Sequence, residues 1–536
     1  MERRRRSRRP SNDTAAVAGA LAAMSADELR EFVLQALELL DDEPRGHVED
    51  ALLRHAARGA DRWQPAPPPS GVISDVRGFL TAARHTGSAD PAQVDDYLRE
   101  GIKASLAGDS ATAAALFGEL LPAIGDGNID LGQHELVDEV LSADLSECAA
   151  RYLHAVYASV DPRERPDALL AAIDNIDAVA CVWEPIEKME RVATGSLPDL
   201  KAFLPAWVEK LRSVKPAVSD WEDAHNRRLR EAITRAEGLP GLARLARTTR
   251  RPEVVRAWCA AVRETGDWKE TLRAYEDAAQ LVSSPVWHGD FLDGAALAAE
   301  RLGRQDITER LEVAFRQAPS LVRLLRWLAS GDPSPTALRR RASSLLRDGS
   351  LEPPMLRSIL HLVTGDIPAA AEVLASAHGL GWSDQNHPGP HLFSAFATLL
   401  GATTNLALHA VDAFHDFDEV FAADGAESKL STPSLAEILR RASLDDTLTA
   451  ADRTCMRDAM RSAAIARVDG VLGDKRRRRY EHAAVLVACC AELDQGVGSK
   501  SAHPLEWVTA LQKRTSRFPA FQAALSAELA RRLVSV

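Results

Sequence analysis

The sequence predicts an all-α protein of stacked helical hairpins, and two observations carry that prediction. First, the 536 residues are 46% hydrophobic but only 5% aromatic, and Ala, Leu, Arg and Glu, which are strong helix formers, dominate. Second, a Gly with a polar residue after it recurs between apolar helical runs, at Gly108-Asp109, Gly266-Asp267 and Gly365-Asp366 and more loosely at Gly303-Arg304. Gly adopts the left-handed conformation that ends a helix. Asp accepts hydrogen bonds from the free backbone amides at the start of the next helix. The repeated unit is therefore predicted to be helix, tight turn, helix.

Charge and composition narrow the classes of function. The net charge of −12 provides no global positive field that would hold nucleic acid. No segment reaches the roughly 20 uninterrupted apolar residues that span a bilayer, so we expect no membrane partner. The cysteines lie in apolar helical stretches without the CxxC spacing of zinc or redox sites, which predicts reduced thiols in a cytoplasmic protein. These cysteines are Cys148, Cys181, Cys259, Cys455, Cys489 and Cys490.

Residues 1–20 are predicted to be a disordered basic tail. The arginines between Arg3 and Arg9 superficially resemble the start of an export signal. Pro10 and Asp13 interrupt that pattern, and the Ala-rich stretch that follows is barely hydrophobic, so a tail is the favoured interpretation.

Residues 21–59 are predicted to form an N-terminal helical hairpin, followed by a Pro-rich linker over residues 60–72. Ser25 can cap the first helix, and Glu28 three residues later completes a capping box. The prolines from Pro65 to Pro69 cannot continue a helix, so we expect a semi-rigid extended segment there. An apolar stripe with helical spacing follows the cap: Leu29, Phe32, Val33, Ala36, Leu37 and Leu40.

Residues 73–350 are predicted to be a helical-repeat solenoid. In the second helix of the three clearest hairpins, one face carries a small residue at position 4 after the Asp, a large one at position 8 and Leu or Ala at position 11, close to a small-large-small pattern. These residues are Ala113, Phe117 and Leu120; Thr271, Tyr275 and Ala278; and Ala370, Leu374 and Ala377. The pattern resembles the second helix of tetratricopeptide repeats, which implies a right-handed α-solenoid of degenerate tetratricopeptide-like hairpins. Because the matches are not spaced as a regular array, generic helical hairpins stay an alternative.

Residues 351–536 are predicted to be a C-terminal helical-repeat region. It contains the segments Gly365-Asp366-Ile367-Pro368-Ala369-Ala370, Leu380-Gly381-Trp382-Ser383, His387-Pro388-Gly389, Arg478-Arg479-Tyr480-Glu481-His482-Ala483-Ala484 and Arg517-Phe518-Pro519-Ala520-Phe521. These segments resemble uncharacterised bacterial tetratricopeptide-like helical-repeat proteins, some of which carry an N-terminal SWIM-type zinc finger. The resemblance implies the fold and almost nothing about function. The zinc finger is absent because no cysteine precedes Cys148, so a nucleic-acid role does not carry over from it.

Histidines between His361 and His415 form the one candidate metal centre, and a metal-dependent enzyme in the region His378–His415 is one alternative function. His387 and His391 have the spacing of helical ligand pairs, but we expect the prolines between them to prevent a regular helix and to keep Gly379 to Pro390 a loop. The competing interpretation is capping or packed histidines at a hairpin junction. The other members of the cluster are His378, His409, Asp384, Asp412, Asp416 and Asp418.

No catalytic constellation accompanies this cluster. The sequence has no G-x-S-x-G nucleophile turn, no P-loop and no GxGxxG motif. We therefore predict that the protein is not an enzyme and carries no cofactor.

The basic run Lys475-Arg476-Arg477-Arg478-Arg479 is predicted to open a helix that continues from Tyr480. Cations at a helix start oppose the macrodipole, so an anion should lie nearby. Three interpretations stay open: an acidic surface of this same chain, a nucleic acid or other phosphate-bearing partner, or a merely solvated cluster. The second run, Arg339 to Arg341, is predicted to be a solvated helical face. Trp382 differs from the tryptophans at hairpin junctions because it lies in the loop before Pro390.

The leading functional hypothesis is a non-catalytic protein-interaction scaffold or regulatory adaptor that binds a partner helix or peptide on a solenoid surface. The alternative from another class is a nucleic-acid-associated regulatory protein that uses the local Arg clusters. The candidate interaction residues are Trp382, His387, His391, Lys475, Arg476, Arg477, Arg478, Arg479 and Tyr480.

Overall fold

A computed structural model describes residues 12–58, 63–127, 129–133, 137, 140–214, 223–332, 334–348, 354–384, 386–402, 430–444, 446–496 and 505–532. Within these ranges the chain forms 25 α-helices, one 3-10 turn and no β-sheet, which confirms the predicted all-α class. None of the described helices is long and apolar enough to cross a membrane. The chain divides into two compact units, Met1–Val254 and Val255–Val536.

The first unit contains eleven of the described helices. The first of them covers residues for which the sequence predicted the end of a disordered tail, and no regular element covers residues 63–70 of the predicted linker. The helices are α1 (Asn12–Ala23), α2 (Ala26–Glu38), α3 (Asp42–Arg58), α4 (Val72–Thr86), α5 (Pro91–Leu106), α6 (Ser110–Gly125), α7 (Leu145–Ser159), α8 (Arg165–Ile176), α9 (Pro185–Val192), α10 (Leu200–Ser213) and α11 (Ala224–Thr249).

The remaining described helices belong to the second unit, apart from the start of α12, which precedes the boundary between the units. They are α12 (Pro252–Glu264), α13 (Trp268–Leu281), α14 (Pro285–Arg301), α15 (Ile307–Gln317), α16 (Leu321–Ala329), α17 (Pro335–Asp348), α18 (Pro354–Thr364), α19 (Ile367–Ala375), α20 (Pro388–Leu399), α21 (Leu435–Arg441), α22 (Ala450–Gly473), α23 (Tyr480–Gly496), α24 (Glu506–Arg514) and α25 (Pro519–Arg531).

The predicted hairpin turns are confirmed in both units. Gly108, Gly266 and Gly365 have positive φ angles of 81°, 77° and 87°, the left-handed region that a side chain disfavours. The Asp after each Gly accepts a hydrogen bond from a backbone amide in the first turn of the next helix, as an N-cap does. The predicted capping box of Ser25 and Glu28 is also present.

The large residue at position 8 of a hairpin packs against a glycine of a neighbouring helix. A Cβ on Gly101 would lie 2.8 Å from the Phe117 ring, and a Cβ on Gly294 would lie 2.2 Å from the Tyr275 ring. Only a residue without a side chain permits these approaches. Of the nine residues in the predicted small-large-small pattern, all except Ala377 are buried.

In the second unit, helices that are distant in the sequence also pack together. Helix α19 packs on α22, and α23 packs on α25. Helix α20 contacts α18, α19, α21 and α22 and is buried on nearly every face, as expected for a helix in the interior of a bundle. This central helix positions the candidate site.

Candidate functional site

The candidate interaction residues lie in two segments of the second unit. Trp382, His387 and His391 lie in the loop between α19 and α20 and at the start of α20. Lys475 to Tyr480 connect α22 to α23.

The Trp382 ring lies where these segments meet. Its centroid is 5.4 Å from the ring of His387, 6.1 Å from that of Phe393 and 5.5 Å from that of His482 in α23. The guanidinium carbon of Arg467 in α22 lies 5.9 Å from the same centroid. Because Trp382 is only 6% exposed, its ring joins elements of the core and is not accessible to a partner.

The loop before Trp382 lies directly on the backbone of α22. A Cβ on Gly379 would lie 2.0 Å from the carbonyl oxygen of Ala466, and a Cβ on Gly470 would lie 3.0 Å from the carbonyl carbon of Gly379. Arg467 donates from Nη1 to the Gly379 carbonyl oxygen at 3.0 Å. Two glycines and one arginine therefore fix the loop against the helix.

His387 is the N-cap of α20, and both of its ring nitrogens have partners. Nδ1 accepts from the Gly389 amide at 3.0 Å, so Nε2 carries the proton and donates to the His378 carbonyl oxygen at 2.9 Å. Burial lowers the pKa of His387 below its ordinary value, which keeps the ring neutral at pH 7. The arrangement matches the capping interpretation of this histidine and leaves no lone pair for a metal.

The expectation that prolines prevent a helix between His387 and His391 was wrong. Helix α20 begins at Pro388, because the first turn of a helix needs no amide donors and accepts proline there. His391 therefore lies in the first turn of α20, where it is buried.

Within the described ranges, no group of three or more His, Cys, Asp or Glu side chains has the geometry of a metal site. His409, His415, Asp412, Asp416 and Asp418 of the predicted cluster lie outside those ranges. The metal hypothesis stays a prediction.

The basic run differs from its predicted conformation. Lys475 has a φ of 54°, and the Arg476 amide donates to the Val471 carbonyl oxygen at 2.9 Å, a hydrogen bond that closes the end of α22. Arg477–Arg479 then form a single 3-10 turn, so the following helix begins only at Tyr480. Tyr480 is buried, with its ring 6.1 Å from that of Phe521. We call Lys475 to Arg479 the basic turn.

Most of the positive charge of the basic turn is uncompensated. Arg476 pairs with Asp474 at 3.2 Å. Lys475, Arg477, Arg478 and Arg479 are exposed, and none of their side chains forms an ion pair or hydrogen bond with the described part of the chain. The interpretation that an acidic surface of this chain neutralises the run therefore finds no support among those residues.

Two arginines on the neighbouring helices are neutralised. Arg461 of α22 pairs with Asp494 at 2.9 Å, and Arg514 of α24 pairs with Asp469 at 2.8 Å. The basic turn differs from them because four exposed cations without ion pairs lie within five residues.

One further cation lies buried behind the basic turn. Arg467 is 5% exposed and forms no ion pair with a described carboxylate. Burial and the charges of Arg479 and Arg476 lower its pKa to about 10. Burial, Arg467 and Arg479 likewise lower the pKa of His482 to about 4. Burial is the largest cause of both shifts, and the neighbouring positive charges lower both pKa values further.

Sequence reasoning missed Arg467, although a signal was present. The residue occupies a helical position on the apolar stripe of Ala464, Val468 and Val471, all of which are buried. A lone arginine on a buried stripe indicates either a structural contact or a charge held for a partner.

The other arginine run was predicted wrongly. Arg339 donates to the Ala442 carbonyl oxygen at 2.8 Å, and Arg341 donates to carbonyl oxygens of Leu328 and Ser330 at the end of α16. Only Arg340 is exposed. The run is a set of helix caps and not a solvated face.

Comparison with models of protein families, with curated proteins and with solved structures finds no match to this chain. The resemblance to tetratricopeptide-like proteins associated with SWIM zinc fingers stays a prediction.

Proposed function

We propose that this protein is a non-catalytic cytoplasmic scaffold, built as a right-handed α-solenoid of degenerate tetratricopeptide-like hairpins, that binds an acidic segment of a partner protein through the basic turn. The glycine turns, the Asp caps and the buried small-large-small faces support the hairpin assignment. The observation that carries the binding proposal is the set of exposed, unpaired cations at Lys475 and Arg477 to Arg479.

Like charges that lie close together repel each other, and this repulsion destabilises the fold unless opposite charges lie nearby. Arg477 to Arg479 immediately precede α23, whose positive dipole end adds to that repulsion. A bound carboxylate or phosphate reduces the repulsion among the arginines and their repulsion from the positive end of the α23 dipole. Arg forms bidentate hydrogen bonds with either group. An anionic partner is therefore the chemistry that the turn fits.

The restricted extent of the charge favours a short acidic peptide over a nucleic acid. Duplex binding requires several phosphate contacts over a wide basic surface, whereas Arg514 already pairs with Asp469 near the end of α22, and Arg461, farther back in α22, pairs with Asp494. The four unpaired cations of the basic turn match the charge of a few glutamates or aspartates in a short peptide. Nucleic acid is the second candidate, favoured by the same unpaired arginines.

The test compares one charge reversal in the basic turn with one outside it. Fluorescence anisotropy at low salt would measure binding of a labelled glutamate-rich peptide and of a labelled oligothymidylate to the full chain. Arg478→Glu should weaken peptide binding about tenfold, as expected when attraction becomes repulsion. Arg340→Glu is the matched control, because Arg340 is exposed and has no ion-pair partner among the described residues.

Equal peptide binding by both variants and the native chain would refute the role of the turn. Tighter binding of the oligothymidylate than of the peptide, lost in Arg478→Glu and steeply dependent on salt, would replace the peptide with nucleic acid.

A further inference from the structure

Apolar side chains are exposed mainly in one segment of the described chain. Seven of the ten exposed large hydrophobic residues lie between Asn12 and Arg58, six of them in the first three helices and Leu39 at the C-cap of α2, although this segment is a small part of the protein. The seven are Val17, Leu21, Phe32, Leu34, Leu39, Val48 and Leu52. A cluster of this kind, unlike scattered apolar residues, marks an interaction surface.

The exposed residues have the spacing of helix faces. Phe32 of α2 and Leu39 at its C-cap are seven residues apart, and Val48 and Leu52 are four apart in α3, so each pair lies on one side of its helix. Phe32 is 50% exposed and Leu39 is 87% exposed. No residue of α2 is buried. The stripe members Leu29, Val33, Ala36 and Leu37 are half-buried, whereas Phe32 of the stripe and the adjoining Leu39 are exposed. We call these two pairs the hairpin face.

The hairpin that carries this face is well anchored. Arg45 donates to the carbonyl oxygens of Leu37 and Leu40 at 2.9 and 3.2 Å, which closes the end of α2. On the other side of α3, Asp50 and Ala57 are buried. Helix α3 therefore packs on the first unit through one side while Val48 and Leu52 stay exposed.

Charge on α2 specifies the kind of partner. The helix carries Asp27, Glu28, Glu31 and Glu38 against the single cation Arg30. Glu28 lies one turn before Phe32, so an acidic rim borders the apolar stripe. A complementary ligand has an apolar stripe with Lys or Arg beside it.

We propose that the hairpin face binds an amphipathic helix of another protein whose apolar stripe is flanked by basic residues. A second copy of this chain fits less well, because the carboxylates of two α2 helices would come together. Residues 1–11 also fit less well, because their only strongly apolar member is Met1. The proposal is independent of the basic turn, which has the opposite charge and prefers an acidic ligand.

The test uses two designed peptides of equal length and helicity, one of Leu and Lys and one of Leu and Glu. Both peptides are measured on the full chain with Arg477→Gln, Arg478→Gln and Arg479→Gln, so that the basic turn does not bind the Leu/Glu peptide. Fluorescence anisotropy with this chain should give binding of the Leu/Lys peptide that is at least about tenfold tighter than that of the Leu/Glu peptide. The double substitution Phe32→Asp with Leu39→Asp should weaken Leu/Lys binding about tenfold or more, since it removes central apolar contacts. Val313→Asp is the matched control, because Val313 is 42% exposed and lies in α15 of the second unit.

A second double variant, Val48→Asp with Leu52→Asp, leaves α2 unaltered and so shows whether the loss of binding results only from misfolding of α2. It should weaken Leu/Lys binding similarly, with an unchanged circular dichroism spectrum. Equal affinity for both peptides, or an equal loss in Val313→Asp, would overturn the proposal. Sedimentation showing a dimer that Phe32→Asp with Leu39→Asp dissociates would also overturn it and assign the face to self-association.

Discussion

Two runs of arginines in the second unit have similar sequences but different surroundings. Arg339 and Arg341 donate to backbone carbonyl oxygens at the ends of α21 and α16. The guanidinium groups of Arg477 to Arg479 have no hydrogen-bond acceptor among the described residues. These three arginines are exposed to solvent. The first run stabilises the fold, whereas the second run is available to a partner.

Contact with the carbonyl oxygens of helix ends explains the difference. The last turn of a helix exposes unpaired carbonyl oxygens and carries negative partial charge, so cations are held there. The basic turn lies between the end of α22 and the start of α23, and the backbone amide of Arg476, not an arginine side chain, closes the end of α22. An arginine run therefore stabilises the fold where its guanidinium groups reach these carbonyl oxygens and stays available where they do not.

The largest expected effect concerns His482, which lies in the positive potential behind the basic turn. Its pKa is about 4 in the folded chain against an ordinary value of 6.5. Between pH 6.5 and pH 4 the unfolded chain binds one proton more at this histidine than the folded chain. The free energy of unfolding is therefore highest above pH 6.5 and decreases as the pH falls toward 4. The loss should be about 3 kcal/mol. Denaturant unfolding of the native chain and His482→Gln at several pH values measures it.

His482→Gln should show a shallower decline in stability over this pH range than the native chain. Parallel curves would mean that burial and the charges of Arg467 and Arg479 do not lower the pKa of His482 in the folded chain.

Arg341→Ala tests the structural role of the first run. Loss of hydrogen bonds from a charged donor to the end of α16 should lower the free energy of unfolding by about 2 kcal/mol. Arg340→Ala, one residue away and exposed, should change it by no more than about 0.5 kcal/mol. Equal destabilisation by the two substitutions, measured by denaturant unfolding, would contradict the assignment of Arg341 as a helix cap.

The smallest expected effect is a gain in stability at Lys475. This residue has a φ of 54°, a conformation that costs free energy for any residue with a Cβ. Lys475→Gly should raise the free energy of unfolding by about 0.5 kcal/mol or slightly more, because glycine accepts this φ without strain. Thermal unfolding of the second unit would report it, and a lower midpoint would show that the lysine side chain stabilises the turn.

Local features were predictable from the sequence and tertiary ones were not. Gly365 with Asp366, and Ser25 with Glu28, act within a few residues of themselves, so their turns and caps follow from residue type alone. The start of α20 at Pro388 also depends only on nearby residues, because the first turn of a helix accepts proline. The expectation of a loop as far as Pro390 did not allow for this.

The roles of the arginines depend on contacts between distant segments. The acceptor of Arg339 is the carbonyl oxygen of Ala442, about a hundred residues later, and no periodicity reveals that approach. Burial of Trp382 similarly results from packing of α20, α22 and α23 around its loop. Residue type and spacing therefore could not indicate which of the candidate residues stay accessible.

The most direct measurement is a titration of the glutamate-rich peptide into the native chain and into the triple variant Arg477→Glu, Arg478→Glu and Arg479→Glu, with denaturant unfolding of both proteins alongside. We predict that the variant loses peptide binding while its free energy of unfolding is unchanged or slightly higher. Retained binding, or a loss of binding that accompanies unfolding, would contradict the claim that the basic turn is a surface for a partner.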